Sequence, residues 1–250
     1  MSSKAKIVQM LLLLSCCISY TAMGENVEPI ELTAGFSKPP FVIENNEHYR
    51  GIQLDLITEI FALAKRPVHF IHVPLARSFS SIDKWHSDGT ITLPREYEKK
   101  SVYVSTPYIS YQNVVVTLKE NNLVINNLDD LSGKSVIAFQ KAEELINTDY
   151  RRAVAKVADY REMADQMKQI ELLFIKRTQA IIVDINILKH FLYNNREDKY
   201  NKAYTIHPLF KQNIYAAGFK SQVVRDQFNR GLVEIKANGK YQQVLNKYLL

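Results

Sequence analysis

The chain has 250 residues, of which 46% are apolar and 23% charged. Those proportions fit one large or two small globular domains and exclude a disordered chain. Only one apolar run approaches membrane-spanning length, which excludes a multi-span membrane protein, and 32 Lys+Arg against 26 Asp+Glu, a formal +6, is too mild and scattered for a nucleic-acid stripe.

Lys4 and Lys6 precede an apolar stretch over 7–20, shorter than the ~20 residues a spanning helix needs. Ala22 and Gly24 then supply the small-x-small spacing of a signal-peptidase site. Together they predict a secretory signal peptide over 1–24. Leu13-Leu14-Ser15-Cys16 also resembles a lipobox, so a lipid anchor on Cys16 is the alternative, although Leu14 is not the usual small or β-branched residue there. Both cysteines, Cys16 and Cys17, lie in this segment. Cleavage would leave no thiol, excluding disulfides, cysteine catalysis and thiolate metal sites together. It would also remove two lysines and lower the formal charge to +4.

Beyond the signal, short β-rich runs alternate with helical periodicity. Residues 30–35 and 41–43 read as strands on either side of the turn Lys38-Pro39-Pro40. Leu56, Ile57, Ile60, Phe61 and Ala64 recur at helical spacing, predicting an amphipathic helix over 52–65 closed by Pro67. A strand is expected at 68–73, a helix at 75–86 and a strongly apolar strand at 112–118. A new unit begins after Lys119: a polar linker, a turn at 128–134, a strand at 135–139 and helical patterns at 142–147 and 161–176. The buried strand 179–183 ends at Asp184 and feeds a helix over 185–193. A charged loop, a strand at 214–219 and helices at 222–237 and 240–249, split by the C-cap signal Asn238-Gly239, complete the chain. Strands separated by helices in this rhythm predict βαβ units and an α/β architecture.

Enzyme signatures are missing. There is no G-x-G-x-x-G, P-loop or G-x-S-x-G. His69 and His72 are three apart on a strand and point to opposite faces, so they cannot share one metal ion without distortion. Asp129-Asp130 and Glu143-Glu144 suit turn and helix-start positions better than a catalytic pair. No metal or cofactor is expected, and these absences favour a binding protein over an enzyme.

Several segments, in order, resemble the family 3 extracellular solute-binding proteins, the periplasmic receptors of polar amino acid ABC transporters. They are GFSKPPF at 35–41, RGIQLDLITEI at 50–60, the Ser105-Thr106-Pro107-Tyr108 turn, LDDLSGKSVIAFQ at 128–140, KRTQAIIVD at 176–184, YAAGFK at 215–220 and the closing FNRGLVEIKANGKYQQVLNKYL at 228–249. The resemblance implies a type II periplasmic binding-protein fold, two α/β lobes joined by two hinge strands with a ligand cleft between them. Lobe one would take 27–116 plus 214–250 and lobe two 117–213, with hinge strands at 113–118 and just before Tyr215. It further implies a periplasmic monomer that closes on a small polar solute, an amino acid or related organic ion, and delivers it to an ABC permease.

In amino-acid-binding members an Arg after a Thr-x-x motif forks onto the ligand carboxylate, and an Asp ending a lobe-two strand takes the ammonium. Asp184 matches that Asp, with helix N-capping as its other role. Thr92-Leu93-Pro94-Arg95 reproduces the Thr-x-x-Arg spacing, yet counting back from Ser105 puts the family's Arg on Glu98. Arg95 either carries the role or is a surface residue paired with Glu98. Lys38, beside Phe36, stands where the family has an aromatic, Leu75 stands at a second aromatic position, and Lys141-Ala142-Glu143 replaces the family's lobe-two turn. Arg77 is an alternative source of positive charge. The expected ligand-binding set is therefore Asp184, Arg95, Thr92, Arg77, Phe36 and Lys38. A secreted dehydratase-like enzyme on the same fold, using Glu98 or Glu143, and a ligand sensor with a separate signalling partner are the competing readings.

Overall fold

The computed structural model describes residues 28–45, 48–78 and 87–249. The expected signal peptide, Cys16 and Trp85 lie outside them. Two mixed sheets organise the chain. The first has the order β4-β1-β5-β13-β6, with β7 also paired to β13; these are Val68–His72, Ile30–Ala34, Gly89–Pro94, Asn213–Phe219, Tyr103–Val104 and Ile109–Tyr111. A small hairpin, β2 (Ile43–Asn45) with β3 (His48–Arg50), stands beside it. The second sheet has the order β10-β9-β11-β8-β12, namely Asp159–Met163, Ser135–Phe139, Ala180–Asp184, Asn113–Leu118 and Tyr204–His207.

Helix α1 (Ile52–Ala62) buries Leu56, Ile57, Ile60 and Phe61. Phe61 meets Phe219 and Phe228 at ring-centroid distances of 6.1 and 6.0 Å, so α1 packs between β13 and α6 (Gln222–Ala237). The closing helix α7 (Lys240–Tyr248) reaches back to α1 through Lys247 and Tyr248, which both bond Asp55. In the second lobe, period-2 alternation divides the core. Ile137 and Ile181 face α4 (Gln166–Phe174), where Ile170 and Phe174 are buried. Val136 and Ile182 face the other way, toward Tyr150 of α3 (Thr148–Val154), which follows the short α2 (Ala142–Leu145). Both faces of the second sheet are thus covered, as its apolar strands require.

β8 pairs with β11 over 113–117 and with β12 over 115–118. On its outgoing pass the chain leaves the first sheet at Tyr111 and enters the second at Asn113, so the expected lobe boundary at 116/117 falls within β8; the chain returns to the first sheet at β13. One reading is corrected. Residues 159–163, taken partly as helix, form an exposed edge strand parallel to β9. The helix pattern assigned to 161–176 had absorbed it, because an edge strand carries polar residues that show no apolar period. The short helix α3 and the strands β5 and β12 gave too little period to be read at all.

Gly231 lets α6 approach α1. A Cβ at 231 would stand 2.5 Å from the Ile60 carbonyl oxygen. Gly231→Ala should cost about 1–3 kcal/mol, the range for overpacking a tight contact, read as a lower midpoint in equilibrium urea unfolding.

Candidate functional site

A cleft between the two sheets encloses about 680 Å³, part of it open to solvent. From lobe one it is lined by Phe36 and Lys38 of the β1–β2 connection, Pro74 and Leu75, Thr92 of β5, and Tyr111. From lobe two come Phe139, Gln140, Gln166, Asp184 and Ile187. Asn113 and Tyr215 line it at the chain crossings.

Asp184 ends β11 and is 1% exposed. Its Oδ1 accepts the backbone N–H groups of Asn186 at 2.8 Å and Ile187 at 3.2 Å, capping α5 (Ile185–Asn194). Its Oδ2 accepts the backbone N–H of Gln112 at 2.7 Å. Burial pushes the carboxyl up to about 6, against the pull of those N–H groups and of Lys38. Capping and the expected ammonium-facing position thus coincide in one residue.

Lys38 is half-buried, on a turn where its N–H donates to the Val42 carbonyl at 2.8 Å. Its Nζ donates to the Tyr111 hydroxyl at 2.7 Å. Burial pushes the ammonium down to about 7, while Asp184 across the cleft opposes the fall. No direct ion pair joins the two: the pair stands on opposite lobes with space between.

Behind Lys38 lies a buried chain of hydrogen bonds. The Tyr111 hydroxyl donates to Gln53 Oε1 at 2.7 Å, and Gln53 Nε2 donates to Thr92 Oγ1 at 3.0 Å and to the Tyr108 hydroxyl at 2.9 Å. Tyr108 in turn donates to the Ile91 carbonyl at 2.7 Å. Gln53 is fully buried although α1 is amphipathic. Its place was readable, because Gln53, Ile57 and Ile60 share one helix face. Tyr111, Asn113, Gln140 and Tyr215 carried no comparable signal.

Of the residues expected to bind ligand, Phe36, Lys38, Thr92 and Asp184 line this one cavity. Arg95 does not. It is exposed and lines a neighbouring depression with Glu96, Asn213 and Tyr215. Strand β5 ends at Pro94, and Arg95 and Glu96 form a turn in which the Tyr97 N–H donates to the Pro94 carbonyl at 3.0 Å, which leaves Arg95 exposed while Thr92 stays buried. The helical turn that would align Arg95 with Glu98 is absent, and no ion pair between them occurs among the described residues. Arg77 is exposed, and the described residues 75–78 around it are helical. Two residues on from Leu75, it is turned about 200° away from the cavity. Glu143 lies outside too, in a shallow depression with Lys141 and Glu162. His69 is exposed near Glu31, whereas His72 stacks on Tyr49 at a centroid distance of 3.5 Å.

Two α/β lobes that bring unlike charges to a shared cleft define a two-lobed binding protein. Residues 32–250 match the model of the bacterial extracellular solute-binding proteins, family 3, and the chain belongs to that family. A probable histidine-binding protein of Campylobacter jejuni subsp. jejuni serotype O:2 is 25% identical over 226 residues, covering 84% of this chain and 81% of the relative. An ancestral arginine-binding protein bound to glutamine superposes with a TM-score of 0.73 at 20% identity, over 88% of this chain and 97% of the other. The GluR0 ligand-binding core in complex with L-glutamate gives 0.73 at 17% identity, over 91% and 100%. The fold is that of the type II periplasmic binding proteins. Among the described residues no helix is long and apolar enough to cross a membrane.

The two perturbed groups give stability opposite dependences on pH. Lys38 titrates at about 7 when folded and 10.5 when unfolded, so the unfolded chain holds the extra proton between those values and stability rises with pH there. Asp184 titrates at about 6 against 3.8, so its contribution falls as pH rises through that lower window. Lys38→Met should remove the upper slope. The difference in unfolding free energy, variant minus parent, should decrease from pH 7 to pH 10 in urea titrations; a flat difference contradicts the assignment.

Proposed function

We propose that this protein captures a small zwitterionic solute, an amino acid or related organic ion, by closing its lobes and presents it to an ABC permease. The observation that carries this reading is the placing of Lys38 and Asp184 on opposite lobes of one cavity, facing each other without an ion pair. A zwitterion leaving water needs both ends satisfied. Its carboxylate would meet Lys38 and the Thr92 side of the cleft, and its ammonium would meet Asp184. A ligand so held touches both lobes at once, which gives the closed state its differential affinity.

The relatives support the class of solute: one is named for histidine, and an arginine-binding neighbour holds glutamine. Binding rather than turnover is favoured because Asp184 is fixed by three backbone N–H groups as an acceptor, and Glu98 and Glu143 do not line the cavity. An exported, periplasmic location fits the family and the N-terminal signal pattern.

A thermal-shift screen of the twenty amino acids should find at least one that raises the melting temperature by mass action. Asp184→Asn keeps an oxygen to cap α5 but removes the charge. By calorimetry it should weaken the best amino acid by roughly 30- to 1,000-fold, the range for breaking one member of a buried charge pair. Unchanged affinity, or a screen with no amino acid bound, would reject the proposal.

A further inference from the structure

The cavity lining holds one basic and one acidic side chain among the described residues, Lys38 and Asp184. Resting on the reading above, these two are fully engaged by the ligand's own carboxylate and ammonium. Among the described residues, no other charged side chain lines the cavity to meet a ligand's side chain. Arg95 and Arg77, the other cations expected near the cleft, do not line the cavity: Arg95 lines a neighbouring depression and Arg77 is exposed. Glu143 and Glu162, the nearest candidate acids, line a different depression. The remaining walls are Phe36, Pro74, Leu75, Phe139 and Ile187, with Gln140 and Gln166 as neutral polar groups.

From this charge count we infer that the cleft selects amino acids whose side chains are uncharged and rejects both basic and acidic ones. A guanidinium or second ammonium would be buried against apolar walls with no uncommitted acid to pair with. A second carboxylate would find no uncommitted base in the same way. Each would lose its water shell without gaining a partner, a loss the site cannot offset. Neutral side chains escape this cost, and apolar ones gain from the walls. This chain thereby departs from a neighbour named for arginine. The difference lies in which charges reach the cavity rather than in the fold.

Isosteric pairs isolate charge from size. Calorimetry on the purified protein at pH 7.5 should compare L-norleucine with L-lysine and L-glutamine with L-glutamate. L-Norleucine should bind at least 100-fold tighter than L-lysine, and L-glutamine at least tenfold tighter than L-glutamate. Lysine or glutamate within threefold of its neutral partner overturns the inference and leaves amino-acid binding standing. The deaminated acid 4-methyl-2-oxopentanoate serves as the control. Should it bind while no amino acid does, the broader reading fails and the inference with it.

Discussion

An ionised carboxylate in an apolar interior persists only when donors surround it, and Asp184 meets that condition with three backbone N–H groups. Two come from the first turn of α5 and one from Gln112, where the chain leaves the first sheet. The same oxygens therefore end a strand, start a helix and fix the point of crossing between lobes. The Gln112 side chain adds to this by donating to the Phe210 carbonyl at 2.9 Å, linking the outgoing and returning crossings. Loss of either carboxylate oxygen would therefore disturb the crossing or the helix start as well as the cleft.

Lys38 sets the complementary constraint. Its amino group sits among Tyr111, the Pro39-Pro40 turn and the cleft, short of water and facing the acid without touching it. A bound carboxylate would complete the surroundings of the ammonium. Electrostatic complementarity in this protein is thus split between two bodies, one member on each, and neither lobe alone offers a satisfied site for a zwitterion.

Much of this was legible in the sequence. The βαβ rhythm, the capping Asp at the end of QAIIVD and the closing pair of helices follow from period and cap chemistry, which are local. Lys38 stood out because it occupies an aromatic position of the family. What escaped depends on tertiary placement. Arg95 keeps the Thr-x-x-Arg spacing, yet the strand ends at Pro94 and a turn at Arg95-Glu96 leaves it exposed, a break no spacing rule encodes. Strand β10 is polar because it is an edge, and polar strands look like helix or loop to any period count. Tyr111 and Gln53 act through partners distant in sequence, Gln53 bonding residues 39 to 58 positions away.

The chain of bonds from Lys38 through Tyr111 and Gln53 to Thr92 and Tyr108 lies wholly within lobe one, in its buried interior. Its donors and acceptors hold one another in place with no partner from the second lobe. An incoming solute consequently meets a wall whose rotamers are already fixed, and little ordering of lobe one is needed on arrival. The entropic penalty of association then falls mainly on the motion of the second lobe. Changes that loosen Gln53 would weaken capture without touching any atom of the solute.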